Sequence, residues 1–375
     1  MASLGFTLRK QITALVIVWI VLQLLFLYRF GIVTQFESEK YITEAKVLLQ
    51  TGRYTSRNFL FYSTEILLIA LSCVTHTFPW PVVAIQIIVN GISICLFYKL
   101  CFYITKNQST AFFATLFFLL QYYYHLYNVH LFTESLYFSF GIIYTWLLFS
   151  LTRLSVKNIA LLVLGLLVLY FTRPTGLFFI PSTIFFIIFK FYRRKAKLLL
   201  SALFVFGIVL LYFLLNFALN SGGEFDFLLP YLDERVICGV ATISGQHRIH
   251  VPMEKNSIEG LFYIITHYPI LFFSLAGRRL LTFFGVVRPF FSIAHNIFIA
   301  AYFYSAYVMI AIGFKKIITA FLPQTIYLLT NIFFVMITVM LSCDEWHNRF
   351  ILAVLPFFIL LASGALINKD RNNVK

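Results

Sequence analysis

Carboxylates are scarce in this chain: Asp and Glu together number 14 in 375 residues, of which 61% are hydrophobic and 11% charged. An ionisable group beside apolar runs is costly, so the places where such a sequence keeps its acids are informative. The densest polar stretch is QFESEKYITEAKVLLQTGRYTSR, residues 35–57. Glu37 there is a candidate general base, with Glu39 the near alternative, because a positioned carboxylate can take a proton from a hydroxyl or amine. Glu134 opens an apolar run directly after YYYHLYNVHLFT and needs a partner or water in that position. His125 and His130, in the same aromatic run, read as interface-belt residues. The complementary cations are arginines: Arg173 in TRPTG, Arg279 and Arg288 in an apolar stretch, and Arg349 in LSCDEWHNRF beside His347. Arg suits a phosphate through paired, charge-assisted hydrogen bonds. Arg173 reads equally as a snorkelling surface residue, and Arg278, Arg279 and Arg288 as contacts to anionic headgroups. Asp344, Glu345 and His347 have metal-ligand types but no fixed spacing to a second cluster. No cofactor is assigned, and a divalent metal is left open.

The elements that must position these groups are membrane helices. The sequence has 46 Phe and 22 Tyr, and its apolar runs repeat at roughly 17–25 residues, the length that spans a bilayer. The expected fold is all-α: a polytopic membrane helix bundle forming one domain over residues 1–375. It has about 10 transmembrane helices, near 12–28, 81–104, 110–126, 133–151, 159–171, 176–188, 198–217, 292–314, 317–341 and 350–367. The first, preceded by Arg9 and Lys10 and followed by no A-x-A site, is expected to be an uncleaved anchor. With the N-terminus inside, the inner side holds Arg9, Lys10, Lys99, Lys106, Arg153, Lys157, the basic cluster at 190–197, Lys315, Lys316, Lys369, Arg371 and Lys375. One acid, Asp370, opposes them, and acids and bases balance outside. The +15 net charge therefore follows the positive-inside rule, and no nucleic-acid partner is needed to explain it.

This orientation places two larger outer loops, 29–80 and 220–291. Residues 59–78 are apolar enough to span, but a span there would turn every later basic loop outward. They are expected to lie in the outer interface or to re-enter, with Glu65 on a wet face. The same argument makes 259–291 interfacial. Within the first loop a short amphipathic helix is expected from Glu39 to Gln50, with Tyr41, Ala45, Leu48 and Leu49 on one face and Gly52 ending it. Of the five Cys, Cys238 and Cys343 fall in outer loops, where pairing and free thiols both remain open. The sequence holds no GxGxxG, Walker or GxSxG motif and no soluble nucleotide-binding domain, so a sugar donor at this face would need another carrier.

Taken in order and by side, these features resemble the C-type (GT-C) membrane glycosyltransferases, the superfamily of protein O-mannosyltransferases and aminoarabinose transferases. Those enzymes carry an acidic motif in the first outer loop, often an Asp, then an acidic residue, then a Tyr four positions after the Asp. Here that stretch is Glu37-Ser38-Glu39-Lys40-Tyr41, with Glu in place of the commoner Asp. Thr133-Glu134-Ser135-Leu136-Tyr137 is similar to the second outer acidic site. TRPTG and the Arg349-Phe350…Pro356 run are similar to recurring family features, and 278–288 sits where such enzymes carry a re-entrant helix. The resemblance implies an inverting transfer of sugar from a polyprenyl-phosphate donor to a lipid, glycan or protein acceptor at the non-cytoplasmic face. Glu37, Glu39 and Glu134 would be catalytic, and Arg173, Arg279, Arg288, Arg349 and His347 would bind the lipid phosphate or sugar. The compact loops lean towards a bacterial inner membrane and a cell-envelope role. Competing readings are a lipid or polysaccharide flippase and an outer-face polysaccharide polymerase. A flippase tends to show inverted repeats and midplane polar groups, whereas these ionisable groups lie at span ends.

Overall fold

A computed structural model of the protein describes residues 2–196, 198–201, 207, 209, 212–213, 216, 227–242, 249–251 and 257–367. Most of the expected span 198–217, residues 220–226, 243–248 and 252–256 of the loop 220–291, and Lys197, Lys369, Asp370, Arg371 and Lys375 lie outside the described residues. The fold is all-α, an assembly of apolar helices with no strand among the described residues. Among the described residues, seven helical stretches are long and apolar enough to cross a membrane. They become eight if Ile258–His267 and Pro269–Gly285, bent by 107° at Tyr268, count as one broken span. These long apolar helices are those of a multi-pass membrane protein.

The chain divides into two compact units, Met1–Thr183 with Ser305–Leu328 and Leu355–Lys375, and Ile184–Tyr304 with Leu329–Val354. The first unit begins with α1 (Ala2–Phe30), α2 (Glu37–Thr51), α3 (Ser63–Val74) and α4 (Trp80–Thr105). It continues with α5 (Gln108–Leu120), the short α6 (Tyr122–Leu126), α7 (Thr133–Phe149) and α8 (Val156–Thr172), and enters α9 (Phe179–Phe191). The helix expected from Glu39 to Gln50 is α2, and it ends as its turn chemistry requires. Gly52 takes the left-handed conformation (φ 69°) and its N–H closes on Leu48 O. The face it buries is Tyr41, Glu44 and Ala45, with Leu48 half-buried, the i, i+3, i+4, i+7 stripe of a 3.6-residue period. Leu49, expected on that face, is 47% exposed because it lies one residue beyond the stripe.

Tyr41 and Ala45 pack with Tyr62, Ile66, Ile69, Val82, Val83 and Leu131 into one core joining α2, α3 and the start of α4. This packing bears on the 59–78 segment. The 3-10 turn at 57–62 and the twelve residues of α3 form one apolar stretch of 18 residues, long enough to cross a membrane. The long contact of α3 is with α2, whose Glu37, Glu39, Lys40 and Lys46 lie at least partly exposed and belong in water or headgroups. Segment 57–74 is one of the seven candidate spans, and its packing on the charged helix α2 is the feature in keeping with the interfacial position expected for it. Its Glu65 is not on a wet face as expected: it is fully buried, because α2, α4 and α7 close over it.

The second unit contains α10 (Leu228–Leu232), α11 (Ile258–His267) and α12 (Pro269–Gly285), with parts of α13 (Ile293–Ala320), α14 (Leu322–Leu341) and α15 (Arg349–Ala362). The bend between α11 and α12 falls at Tyr268-Pro269, where the proline N1 position starts a new helix. Helix α13 runs six residues past the expected end at 314, because Lys315 and Lys316 are tolerated in its last turns and the break waits for Phe321, ahead of Pro323. Lys316 Nζ there caps Ala365 O at 3.0 Å. A disulfide joins Cys238 to Cys343 across 105 residues and decides the open question of their pairing.

Candidate functional site

The segments before α2 and before α7 meet in the first unit. Val33 N donates to Val129 O at 2.8 Å and Leu131 N to Val33 O at 3.2 Å, a parallel bridge between Val33 and His130. Ser38 Oγ donates to the same Val33 carbonyl at 3.1 Å. From this stitch two helices start within a few residues, α2 at Glu37 and α7 at Thr133. Each has acid in its first turn, Glu37 and Glu39 on α2 and Glu134 on α7, where the helix dipole favours negative charge.

The acids differ in setting. Glu37 is half-buried at the edge of the α2–α3 core, and its Oε1 accepts from Lys40 Nζ at 2.8 Å and from Tyr41 Oη at 3.1 Å. Tyr41 is itself fully buried against Tyr62, with ring centroids 5.5 Å apart, so the packed core orients the carboxylate. Glu39, two residues on, is exposed. Glu44 is spent structurally: its two oxygens take Thr55 N at 2.5 Å and Thr55 Oγ1 at 2.7 Å, tying α2 to the turn after it. Glu134 is fully buried and ion-paired with Arg173, which stays slightly exposed. Burial lowers the pKa of the neighbouring His130, while Leu126 O and the Glu134 charge pull it back up.

The turn carrying Arg173 is pinned on both sides. Thr172 Oγ1 donates to Thr64 Oγ1 at 3.0 Å. Gly176 sits so close to α8 that an added Cβ would lie 2.3 Å from Leu169 O, a backbone atom that cannot yield. Beside this turn, Gln86 Nε2 donates to Glu65 Oε1 at 3.2 Å and to Phe132 O at 3.3 Å, linking α4 to the residues just before Glu134. Sequence reasoning misses Glu65 and Gln86 as site residues. A signal exists: Gln86, Asn90 and Ser93 recur at i, i+4 and i+7 in an otherwise apolar helix, and all three are buried.

The arginines of the second unit are placed differently from the expectation of a phosphate grip. Arg279 is fully buried. Its Nε donates to Arg235 O (2.9 Å), Nη1 to Met340 O (3.2 Å) and Nη2 to Pro230 O (3.0 Å), and its Cζ lies 4.5 Å from the centre of the Tyr231 ring. Met340 O is one of the last four carbonyls of α14, which lack intrahelical partners. Arg288, also fully buried, donates Nη2 to Asp344 Oδ2 (2.5 Å) and Glu345 O (3.1 Å), and Nη1 to Thr282 O (3.2 Å) in the last turn of α12. Both guanidiniums close helix ends and loops, a buried setting unlike the exposed one expected for a phosphate grip.

Asp344 is held on its other side by Glu345 N at 2.8 Å, and its backbone forms the bridge to Ile237 beside the disulfide. Burial pushes the Asp344 carboxyl up to about 6, against the pull of Arg288. Arg349 is partly exposed and pairs with Glu345 at 2.9 Å one turn away. His347 is exposed. Among the described residues, no three His, Cys, Asp or Glu side chains converge as metal ligands. Comparison with protein-family models, curated proteins and solved structures returns no match.

Proposed function

We propose that the protein is a membrane glycosyltransferase of the GT-C kind, transferring a sugar from a polyprenyl-phosphate donor to a lipid, glycan or protein acceptor at the non-cytoplasmic face. The observation that carries the reading is the bridge between Val33 and His130. From it start the two helices whose first turns hold the acids that resemble the family's two outer acidic sites. In this proposal Glu37, oriented by Tyr41 and Lys40, takes the proton of the acceptor hydroxyl or amine. Arg173, held at the protein's edge by Glu134, meets the departing phosphate, whose charge grows as the glycosidic bond breaks. Arg349 and His347, donor candidates by sequence, belong to the second unit, and neither is buried. The disulfide favours an oxidising compartment for the loops that carry it, in keeping with the charge pattern that places them outside. A bacterial inner membrane with the site facing the periplasm fits both.

The test is a transfer assay with purified protein and a labelled polyprenyl-phosphate sugar. Glu37→Gln keeps the shape and loses the base, so transfer should fall by roughly 10²–10⁴-fold with donor binding little changed. Glu39→Gln, at an exposed position, should be mild. Loss in Glu39→Gln alone would move the base by two residues. Full activity in both variants would return the first outer loop to an ordinary surface segment and favour the flippase reading.

A further inference from the structure

Buried charge does not balance around α3. Glu65 is fully buried, and its two oxygens share one neutral donor, Gln86 Nε2, at 3.2 and 3.4 Å. That amide group uses its other hydrogen on Phe132 O, so Glu65 receives one hydrogen for two oxygens. The charge acting on Glu65 is negative, from Glu134. The charged and titratable groups brought by the elements packed around α3 are few. Helix α2 brings Lys40, which lies on Glu37, and Glu44, which holds Thr55. The 3-10 turn at 57–62 brings the buried Tyr62 and the exposed Arg57; residues 127–137 bring His130, Glu134 and the buried Tyr137; α2 adds the buried Tyr41 and α8 adds Tyr170. The end of α8 brings Arg173, which lies on Glu134, and α4 brings only the neutral Gln86. Among the described residues no cation pairs with Glu65. Gln86 Oε1 and Thr133 Oγ1, both buried, have no hydrogen-bond partner. The Thr133 hydroxyl carries its own hydrogen, but Glu65 has one neutral donor between two oxygens and is short of a hydrogen and of a positive charge. Leaving a buried carboxylate in that state costs several kcal/mol, and a proton supplies both deficits.

We infer that Glu65 and Glu134 form a proton-binding pair whose occupancy is set by Arg173. The pair holds one proton while the guanidinium lies on Glu134, and takes a second from solvent when that positive charge is withdrawn. With Arg173 in place, two carboxyls, one guanidinium and one proton sum to zero. Withdrawing the guanidinium leaves one uncompensated carboxylate, and the second proton restores neutrality. A phosphate that draws Arg173 to itself would thereby bring a proton into the site. The inference extends the transferase reading but stands without any sugar transfer.

Infrared spectroscopy of the full chain at neutral pH tests it, in an Asp344→Asn background so that this second elevated carboxyl does not contribute. A protonated-carboxyl C=O band should be present, vanish in Glu65→Gln and shift in Glu65→Asp, which retains a carboxyl if the Gln variant does not fold. In Arg173→Gln a second such band should appear, and Glu134→Gln added to that variant should remove one of the two. A parent spectrum with no band sensitive to position 65, or an Arg173→Gln spectrum with no added band, would overturn the inference.

Discussion

Replacing Arg279 separates a structural guanidinium from a phosphate-binding one. In Arg279→Ala three carbonyls, Pro230 O, Arg235 O and Met340 O, lose a charge-assisted donor, and the Tyr231 ring loses the cation 4.5 Å from its centre. A hydrogen bond to a charged group is worth about 1.5–3 kcal/mol. The three share one side chain and do not add. Pro230 O keeps Arg235 N as a second donor at 2.8 Å, which softens one of the losses. The expected cost is about 3–5 kcal/mol, in the range for breaking a buried charged network. At about 2–4 °C per kcal/mol the midpoint of thermal unfolding should fall by about 10 °C. Arg279→Lys should recover part of this, because an ammonium reaches some of the carbonyls without the planar fork. Arg278→Ala, at the neighbouring exposed position, should stay within about 0.5 kcal/mol of the parent. The assay is intrinsic-fluorescence unfolding of the purified protein, run beside polyprenyl-phosphate binding. An unchanged midpoint with binding lost in Arg279→Ala would refute the structural assignment and restore Arg279 to the donor site.

Three other outcomes are expected. Gly176→Ala drives a Cβ into the backbone of Leu169 and Tyr170, so it should destabilise the first unit and displace the Arg173 turn; wild-type unfolding and unchanged transfer would show that the turn is not held by this approach. Asp344 has a folded pKa raised to about 6 from 3.8, so its contribution to stability is full below about pH 3.8 and is lost as pH rises through about 6. Asp344→Asn should therefore flatten the stability profile over that window, and an unaltered slope would contradict the assignment. For topology, single cysteines at Glu39 and His347, both exposed, should react with an impermeant reagent from outside, and one at Arg194 from the inside only, with Cys73, Cys95 and Cys101 first replaced; outside labelling at 194 would reverse the orientation.

Local chemistry is legible in the amino-acid sequence alone. The bounds of α2 to within two residues, its stop at Gly52 and the Pro174–Gly176 turn follow from 3.6-residue periodicity, the left-handed freedom of glycine and the fixed φ of proline. These rules act over a few residues and are written in those residues. The conspicuous acids also fall near the expected helix ends, since a carboxylate in so apolar a chain stands out. Which groups meet is decided by tertiary structure alone. Arg173 faces Glu134, 39 residues away in sequence; Arg288 faces Asp344 across 56; Cys238 takes Cys343 across 105. A guanidinium reads alike in sequence whether it faces a headgroup or a helix's last carbonyls, and Arg279 and Arg288 are of the second kind. Glu65 shows the same division. Periodicity gives the face of α3 on which it lies, but whether that face meets water or protein depends on α2, α4 and α7 closing over it. Burial, and with it the electrostatic cost of a charge, belongs to the packed molecule and not to any one segment of the chain.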